Sequence, residues 1–240
     1  MILDFKNLNT HRVISLMCLI GAVDCNATTL CVRNLDTSKT ISMRSLFGAN
    51  ELLNELDVSA LDTSNVVNMA NMFRSCESLI TLDLSNFDTR NIIDMTGMFD
   101  QCIYIENINM SSFNTGNVID MTGMFSGCYH IRNLDLSNFD THKVESFKDM
   151  FLNCQNLKKL DLSSFDTRSA LHFSNMFGGC ESLEEIDLSS FEIHETANLN
   201  NMFDGCHELR RIKYPRDKHT CKIIRRQLEI AGVSVADLQT

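Results

Sequence analysis

Proline, glycine and long apolar runs are scarce in this sequence. Its 240 residues include one proline and ten glycines, so no linker rich in these residues divides the chain. Residues 13–23 are the most apolar stretch, and they are fewer than the roughly 20 that a membrane-spanning helix needs. Phosphate-binding loops, nucleophile elbows and metal-ligand spacings are also missing. These absences predict one elongated unit that is not an enzyme, holds no metal or cofactor and has no transmembrane segment.

A single period runs through the chain. Phenylalanine recurs at equal intervals, at Phe47, Phe73, Phe99, Phe125, Phe151, Phe177 and Phe203. Cysteine follows the same interval, at Cys76, Cys102, Cys128, Cys154, Cys180 and Cys206. Methionine precedes the phenylalanine in six of the seven cases. Three columns with one period indicate a repeat protein, in which each unit packs on its neighbours.

Residues 82–102 show what one unit contains. Leu82 and Leu84 flank a polar residue, as in a short, half-buried strand. The pair Asp88-Thr89 is typical of a helix cap, and residues 92–102 then place apolar side chains at helical spacing. One unit alone buries too little apolar surface to offset the entropy of ordering its backbone. Stacked units, by contrast, pair their strands in parallel and cover each other's core.

The repeat is similar to a known one. The stretches LDLSNFDTRNIIDMTGMFDQC, LDLSNFDTHKVESFKDMFLNC and LDLSSFDTRSALHFSNMFGGC resemble the 26-residue, DUF285-type repeat of bacterial surface proteins, the BspA-like leucine-rich-repeat group. The resemblance covers residues 30–213. It implies an α/β fold: a right-handed, leucine-rich-repeat-like solenoid of about eight strand–turn–short-helix rungs, with a parallel ribbon sheet and a C-terminal capping helix. It also implies a cell-surface protein, in some members an adhesin.

Residues 1–29 fit two interpretations. When these residues are shifted by 27 positions, one more than the repeat period, they match the repeat, and Leu3 falls on the column of Leu30. This match favours a degenerate first rung. Alternatively, residues 13–23 are the apolar core of a secretory signal with basic residues ahead of it. A first rung is compatible with a protein that is not exported, whereas the family resemblance indicates the cell surface. Both destinations therefore stay open.

Residues 214–240 are predicted to form a basic helical cap on the last rung. Pro215 ends the last strand, Thr220 can cap a helix, and Gly232 can end it. The alternative is a basic patch for an acidic partner, a phosphate or a nucleic acid. The formal net charge of −10 and the scarcity of aromatic residues in this segment argue against nucleic acid. The cations considered for such a patch are Arg210, Arg211, Lys213, Arg216, Lys222, Arg225 and Arg226.

The cysteine column predicts buried free thiols. It lacks the Cys-x-x-Cys pairs of structural zinc sites, and a buried cysteine behaves as a small apolar side chain. Disulfides between neighbouring rungs are the alternative, because stacked rungs lie about 5 Å apart. Free thiols in this number favour a reducing compartment.

Outward positions of the predicted strands form the candidate binding face. One column, between the two buried strand positions, is almost entirely acidic: Asp57, Asp83, Asn109, Asp135, Asp161 and Asp187. The column before the strand varies, and it includes Thr81, Asn107, Asn133, Lys159 and Glu185. A solvated polar face and a calcium-binding array are alternatives for the acidic column. A second acidic column is explained by helix capping: Asp36, Asp62, Asp88, Asn114, Asp140 and Asp166.

Variable positions on a constant scaffold predict a surface that recognises another protein. The sequence thus predicts a non-enzymatic, protein-binding repeat module that uses its strand face, as an adhesin does. The alternative is a structural or assembly component that docks through its ends, including the basic cap. The identity of the partner and the oligomeric state do not follow from the residues.

Overall fold

The structure, a computed structural model, describes residues 13–19 and 28–234, together with the backbone of residues 2–4. From Thr29 to Arg211 the chain makes seven turns, each one repeat long. The elements are β1 (Ile2–Asp4), β2 (Thr29–Arg33), β3 (Glu55–Asp57), β4 (Thr81–Asp83), β5 (Asn107–Asn109), β6 (Lys159–Asp161), β7 (Glu185–Asp187), β8 (Arg211–Lys213) and α1 (Lys218–Ile230). The predicted solenoid with a parallel ribbon sheet and a C-terminal helix is confirmed.

The ribbon sheet is parallel, and its register follows the repeat. Thr81 lies opposite Asn107, and Lys159 lies opposite Glu185. The hydrogen-bonded strands form three groups, which are β1–β3, β4–β5 and β6–β8. Between β5 and β6, residues 133–135 occupy the strand column without regular strand geometry. The ribbon is therefore interrupted twice, between β3 and β4 and at residues 133–135.

The first rung is described only in part. β1 pairs with β2 in a register that differs from the predicted one, with Leu3 opposite Val32 and not Leu30. Ser15 lies opposite Ser42, which agrees with the additional residue predicted for this rung. Residues 5–12 and 20–27 lie outside the described part of the chain, so the choice between a rung and a secretory signal stays a prediction.

The segment predicted as a short helix is a series of tight turns. In residues 93–102, Gly97 and Gln101 have φ angles of 58° and 60°, a left-handed conformation that an α-helix of L-residues does not contain. The N–H groups of Met95, Gly97 and Phe99 donate to carbonyl groups of the next turn, at 2.8–3.1 Å. An α-helix would instead pair each of them with the carbonyl four residues back. These turns space apolar side chains three and four residues apart, which is why the sequence suggested a helix.

The phenylalanine column forms the centre of the core. Seven fully buried rings, from Phe47 to Phe203, stack on one another with centroids 5.3–5.9 Å apart. Each ring covers the faces of its neighbours, so the apolar contact continues from turn to turn. Stacked rings of this kind stabilise the fold beyond the apolar area that they bury.

Each cysteine of the column is buried and donates its S–H group to the phenylalanine carbonyl of the preceding turn. Cys128 Sγ lies 3.3 Å from the Phe99 oxygen, and Cys154 Sγ lies 3.2 Å from the Phe125 oxygen. Burial, which disfavours the thiolate, raises the pKa of Cys154 to about 12. The prediction of buried free thiols is confirmed for all six members of the column.

A buried threonine fastens each turn to the next one. The Thr115 hydroxyl donates to the Asp140 carbonyl and accepts the Asp140 N–H, both at 2.8 Å. The same double contact is made by Thr37, Thr63, Thr89, Thr141 and Thr167.

The residue before each threonine closes a turn and does not cap a helix: Asp62 Oδ1 accepts the Ser64 N–H at 2.9 Å. The helix-capping prediction for the second acidic column was therefore wrong, because the helices that it would cap are turns.

Helix α1 covers the last turn of the solenoid. Its residues Ile224 and Leu228 are fully buried against the core. The N-cap is Asp217, whose carboxylate accepts the Thr220 N–H at 2.6 Å, and not Thr220 as the sequence suggested. Thr220 is itself buried, and its hydroxyl accepts the Ile193 N–H at 3.0 Å. Within the described residues, no helix is long and apolar enough to cross a membrane.

Candidate protein-interaction surface

The two candidate columns lie on the outward side of the strands. Thr81 and Asp83 are exposed on either side of the buried Leu82, and the same arrangement recurs along the ribbon. The exposed members of the two columns are Asp57, Thr81, Asp83, Asn107, Asn109, Asn133, Asp135, Lys159 and Asp161. Glu185 is half-buried and Asp187 is buried, with 8% of its surface exposed. Asp187 lines the same face as the other members of its column, and Lys213 covers it.

Each acidic-column residue closes the turn that follows its strand. Asp83 Oδ1 accepts the Ser85 N–H at 3.0 Å, and Asp135 Oδ1 accepts the Ser137 N–H at 3.0 Å. Such hydrogen bonds favour the ionised carboxylate, and the pKa values of Asp83 and Asp135 are lowered by their serines. The sequence signal for this turn-closing role is the pattern Asp-x-Ser, which was not among the features used to predict the binding face.

Neighbouring side chains relieve part of the repulsion between stacked carboxylates. Asn109 donates to Asp83 at 2.9 Å, and Lys213 pairs with Asp187 at 2.8 Å. Burial acts to raise the pKa of Asp187, but the hydrogen bond from Lys213 contributes to a net lowering. Asp135 and Asp161 form no ion pair with any described residue. Lys213 lies within electrostatic range of Asp161, so Asp135 is the carboxylate in the middle of the face that has no cationic partner among the described residues.

Ion pairs within the last three strands use up several cations. Glu185 lies between Lys159, at 3.0 Å, and Arg211. Because Lys213 also pairs with Asp187, the basic residues of β6 and β8 are neutralised by the acidic residues of β7. This network ties the end of the ribbon together across three turns.

The predicted basic patch is smaller in the structure than in the sequence. Arg211 and Lys213 belong to the strand network, Arg210 pairs with Glu208, and the Arg225 guanidinium lies 4.3 Å from the centre of the Tyr214 ring. The remaining cations of the predicted set are Arg216, Lys222 and Arg226, and none of the three is buried.

A shallow groove of about 830 Å³ runs along the strand face from β5 to β8. Ile108 and Leu134 are half-buried apolar residues of its lining. Seven residues of the predicted binding face line the groove: Asn107, Asn133, Asp135, Lys159, Asp161, Glu185 and Asp187. Arg211 and Lys213 complete its C-terminal end. Asp57, Thr81, Asp83 and Asn109 belong to the same columns but lie outside the groove.

The apolar lining was not predicted. Ile108 and Leu134 occupy the column of Leu82 and Leu160, which are 3% and 2% exposed. They lie beside the interruption of the ribbon at residues 133–135, where regular strand pairing is lost. The sequence of these residues does not differ from that of the paired strands in a way that announces the interruption.

The described residues contain no group of three or more histidine, cysteine, aspartate or glutamate side chains placed to hold a metal ion. His142 contacts Asp140 at 2.7 Å on an exposed turn, and hydrogen bonding from His142 lowers the pKa of Asp140. The arrangement on the strand face is thus a polar surface with a partly apolar groove, and what it offers chemically is contact area, carboxylates and amides.

Comparisons with known proteins place the repeat in a family. The sequence profile of the family described as "Mycoplasma protein of unknown function, DUF285" matches residues 18–134 and 130–214. A leucine-rich repeat protein from Bacteroides ovatus ATCC 8483 is similar in structure, with 17% identity and a TM-score of 0.35 over 85% of this chain. This chain spans 64% of the length of that protein.

A leucine rich cell surface protein from Faecalibacterium prausnitzii A2-165 is also similar, with 13% identity and a TM-score of 0.28 over 81% of this chain and 75% of that one. No curated protein matches the sequence. The profile match confirms the resemblance to the BspA-like, leucine-rich-repeat group that the residues suggested. Because the matched segments cover most of its length, the chain belongs to the DUF285 family.

Proposed function

We propose that the protein is a non-enzymatic repeat module that binds another protein through its strand face. The observation that carries this proposal is the groove of about 830 Å³ between β5 and β8. Its position on an outward face of a stacked scaffold is the one that repeat proteins use for binding.

The lining of the groove suits a protein partner. The half-buried Ile108 and Leu134 offer apolar contact area, and the exposed Asn107, Asn133 and Asp135 surround them with polar groups. Protein interfaces combine an apolar centre with a polar rim in this way. Because Asp135 has no cationic partner among the described residues, a partner with a basic side chain would complement the groove there.

Recognition at a cell surface is part of the same proposal. The similar protein from Faecalibacterium prausnitzii is described as a cell surface protein. The competing function is an assembly component that docks through its ends. It is supported by the cations Lys222 and Arg226 on α1, neither of which is buried, but the ion pairs of Arg210, Arg211 and Lys213 weaken it.

A single substitution in the groove tests the proposal. Peptides selected from a phage-displayed library against the wild-type protein would be titrated calorimetrically against Asn133→Arg. The added side chain occupies part of the groove and cancels the net negative charge of its lining, so we expect at least a tenfold loss of affinity, which corresponds to about 1.4 kcal/mol.

The matched control is Asn54→Arg, which makes the same change at an exposed position outside the groove and should keep affinity within twofold. Equal affinities of wild type and Asn133→Arg would contradict the strand-face proposal. Loss of binding in Lys222→Glu with no effect of Asn133→Arg would support docking through the end instead.

A further inference from the structure

A stripe of exposed aliphatic side chains runs along the solenoid on five consecutive turns. It consists of Ile14, Ile41, Val67, Ile93 and Ile119. The four isoleucines are 60%, 46%, 45% and 41% exposed, in chain order, and Val67 is half-buried. Monomeric proteins rarely expose contiguous apolar surface without a function for it.

The stack itself does not require apolar residues at these positions. The N–H group of Ile119 donates to the Ile93 carbonyl at 2.9 Å, and the N–H group of Glu145 makes the same contact with Ile119 at 2.8 Å. Glu145 therefore fills the same structural position on the next turn with a charged, exposed side chain. The aliphatic character of the five preceding residues has another cause.

We propose that a second copy of this chain covers the stripe in an antiparallel, two-fold symmetric dimer. Backbone hydrogen bonds of 2.8–2.9 Å join each of the five residues to the next, so the stripe is evenly spaced. Five turns about 4.8 Å apart give it a length of roughly 20 Å. A two-fold interface requires a patch that complements itself. A two-fold axis that crosses the stripe at Val67, perpendicular to its length, places Ile41 of one copy against Ile93 of the other. The same axis places Ile14 against Ile119.

Charges beside the stripe favour this orientation. Arg44 is exposed and forms no ion pair with any described residue. Asp94, two turns away, accepts hydrogen bonds from Asn68 and from the Thr96 N–H at 2.8 and 3.0 Å but has no cationic partner in the same part of the chain. The antiparallel axis exchanges these two turns, so Arg44 of each copy approaches Asp94 of the other.

A parallel dimer lacks this complementarity. Each turn would then face the same turn of the other copy, and the two sides of the stripe would be exchanged between the copies. Arg44, on one side of Ile41, would approach Lys39 of the other copy, which is also exposed. Opposed like charges at an interface are unfavourable. A stripe roughly 20 Å long offers a small contact area, so we expect weak, reversible association with a dissociation constant of about 10 µM. The dimer uses no groove residue and stands independently of the proposed function.

Sedimentation equilibrium of the full chain tests the dimer. Wild type should show a monomer–dimer equilibrium, and Ile93→Asp should raise the dissociation constant at least tenfold. The matched control is Leu171→Asp, in the same column but beyond Glu145, where Leu171 is 44% exposed; it should leave the equilibrium unchanged. Circular dichroism confirms that each variant is folded. A wild type that stays monomeric at 200 µM, or equal effects of both substitutions, would overturn the proposal.

Cysteine crosslinking tests the orientation. In a background in which the four cysteines outside the column, Cys18, Cys25, Cys31 and Cys221, are replaced by serine, Val67→Cys should form a symmetric disulfide under mild oxidation. A mixture of Ile41→Cys and Ile93→Cys should crosslink, whereas neither variant should do so alone. Mass spectrometry of the linked peptides identifies the pairs. Self-crosslinking of Ile41→Cys would show a parallel arrangement and overturn the antiparallel proposal.

Discussion

At the residue scale, the buried threonines show how one hydroxyl fastens two turns of the solenoid. Thr115 is fully buried, and its hydroxyl satisfies both the N–H and the carbonyl of Asp140. Thr115→Val keeps the shape of the side chain and leaves both groups without their partner. We expect the free energy of unfolding, measured by urea denaturation at pH 7, to fall by about 2 kcal/mol. Thr81→Val, at an exposed strand position, should change it by less than about 0.5 kcal/mol.

The cysteine column makes a second prediction at this scale. A thiol reacts with iodoacetamide as its thiolate, and burial raises the pKa of Cys76 and Cys154 to about 12. At pH 8 the six column cysteines should therefore stay unmodified in the native protein, while the exposed Cys18 reacts. Peptide mapping after denaturation and a second label distinguishes the two groups. Rapid native labelling of Cys128 would show that the column is not packed as described.

Elements differ in how far the sequence could predict them. The strands were predicted because two apolar residues on either side of a polar one, such as Leu82 and Leu84, alternate with the period of a half-buried strand. The turns were mistaken for helices because the spacing of Ile92, Met95, Met98 and Phe99 fits both. Asparagine, aspartate or glycine at the positions with positive φ, such as Asn71, is the sequence signal that distinguishes these turns from helices.

Gly123 tests this account of the turns. Its φ angle is 61°, and an added Cβ atom would meet nothing nearer than the Ser126 Cβ at 3.7 Å, so backbone strain dominates the effect of a substitution. Gly123→Val should lower the free energy of unfolding by about 2 kcal/mol. Gly123→Asn should lose much less, because asparagine tolerates this conformation. In a helix the order would differ, since valine is a better helix former than glycine. Urea denaturation of the three proteins decides the matter.

At the scale of the whole molecule, the acidic columns predict how stability depends on pH. Hydrogen bonds that hold the ionised carboxylates lower the pKa values of Asp57, Asp83 and Asp135 below the ordinary value of 3.8. Their contribution is therefore fully present above the ordinary pKa and is lost as pH falls through the lowered values. The urea midpoint should be level from pH 7 to pH 5 and fall below pH 4.

Asp135→Asn is the control for this dependence. An amide can close the same turn, as Asn109 does with the Ser111 N–H at 3.2 Å, but it does not titrate. The variant should be slightly less stable than wild type at pH 7, and the difference should shrink as the pH falls below 4. A wild type that becomes more stable as the pH drops from 5 to 3 would contradict the assignment of these carboxylates.

The stack was predictable from the sequence, and the surface was predictable only in part. The columns that contain Phe99 and Cys102 repeat because every turn makes the same buried contact with its neighbours. The groove depends on where the ribbon is interrupted, at residues 133–135, and the exposed stripe on how the turns orient Ile93. Both follow from the three-dimensional path of the backbone, which neighbouring turns determine jointly and a single repeat does not encode.

The central claim is that hydrogen bonds between successive turns, and not bonds within helices, build this solenoid. Scalar coupling across hydrogen bonds in a long-range HNCO spectrum of deuterated protein measures this directly. The account predicts a correlation between the Gly123 amide nitrogen and the Lys148 carbonyl carbon, because the N–H donates to that carbonyl with an N–O distance of 2.8 Å. A correlation with the Ile119 carbonyl, four residues back, would show a helix and contradict the account.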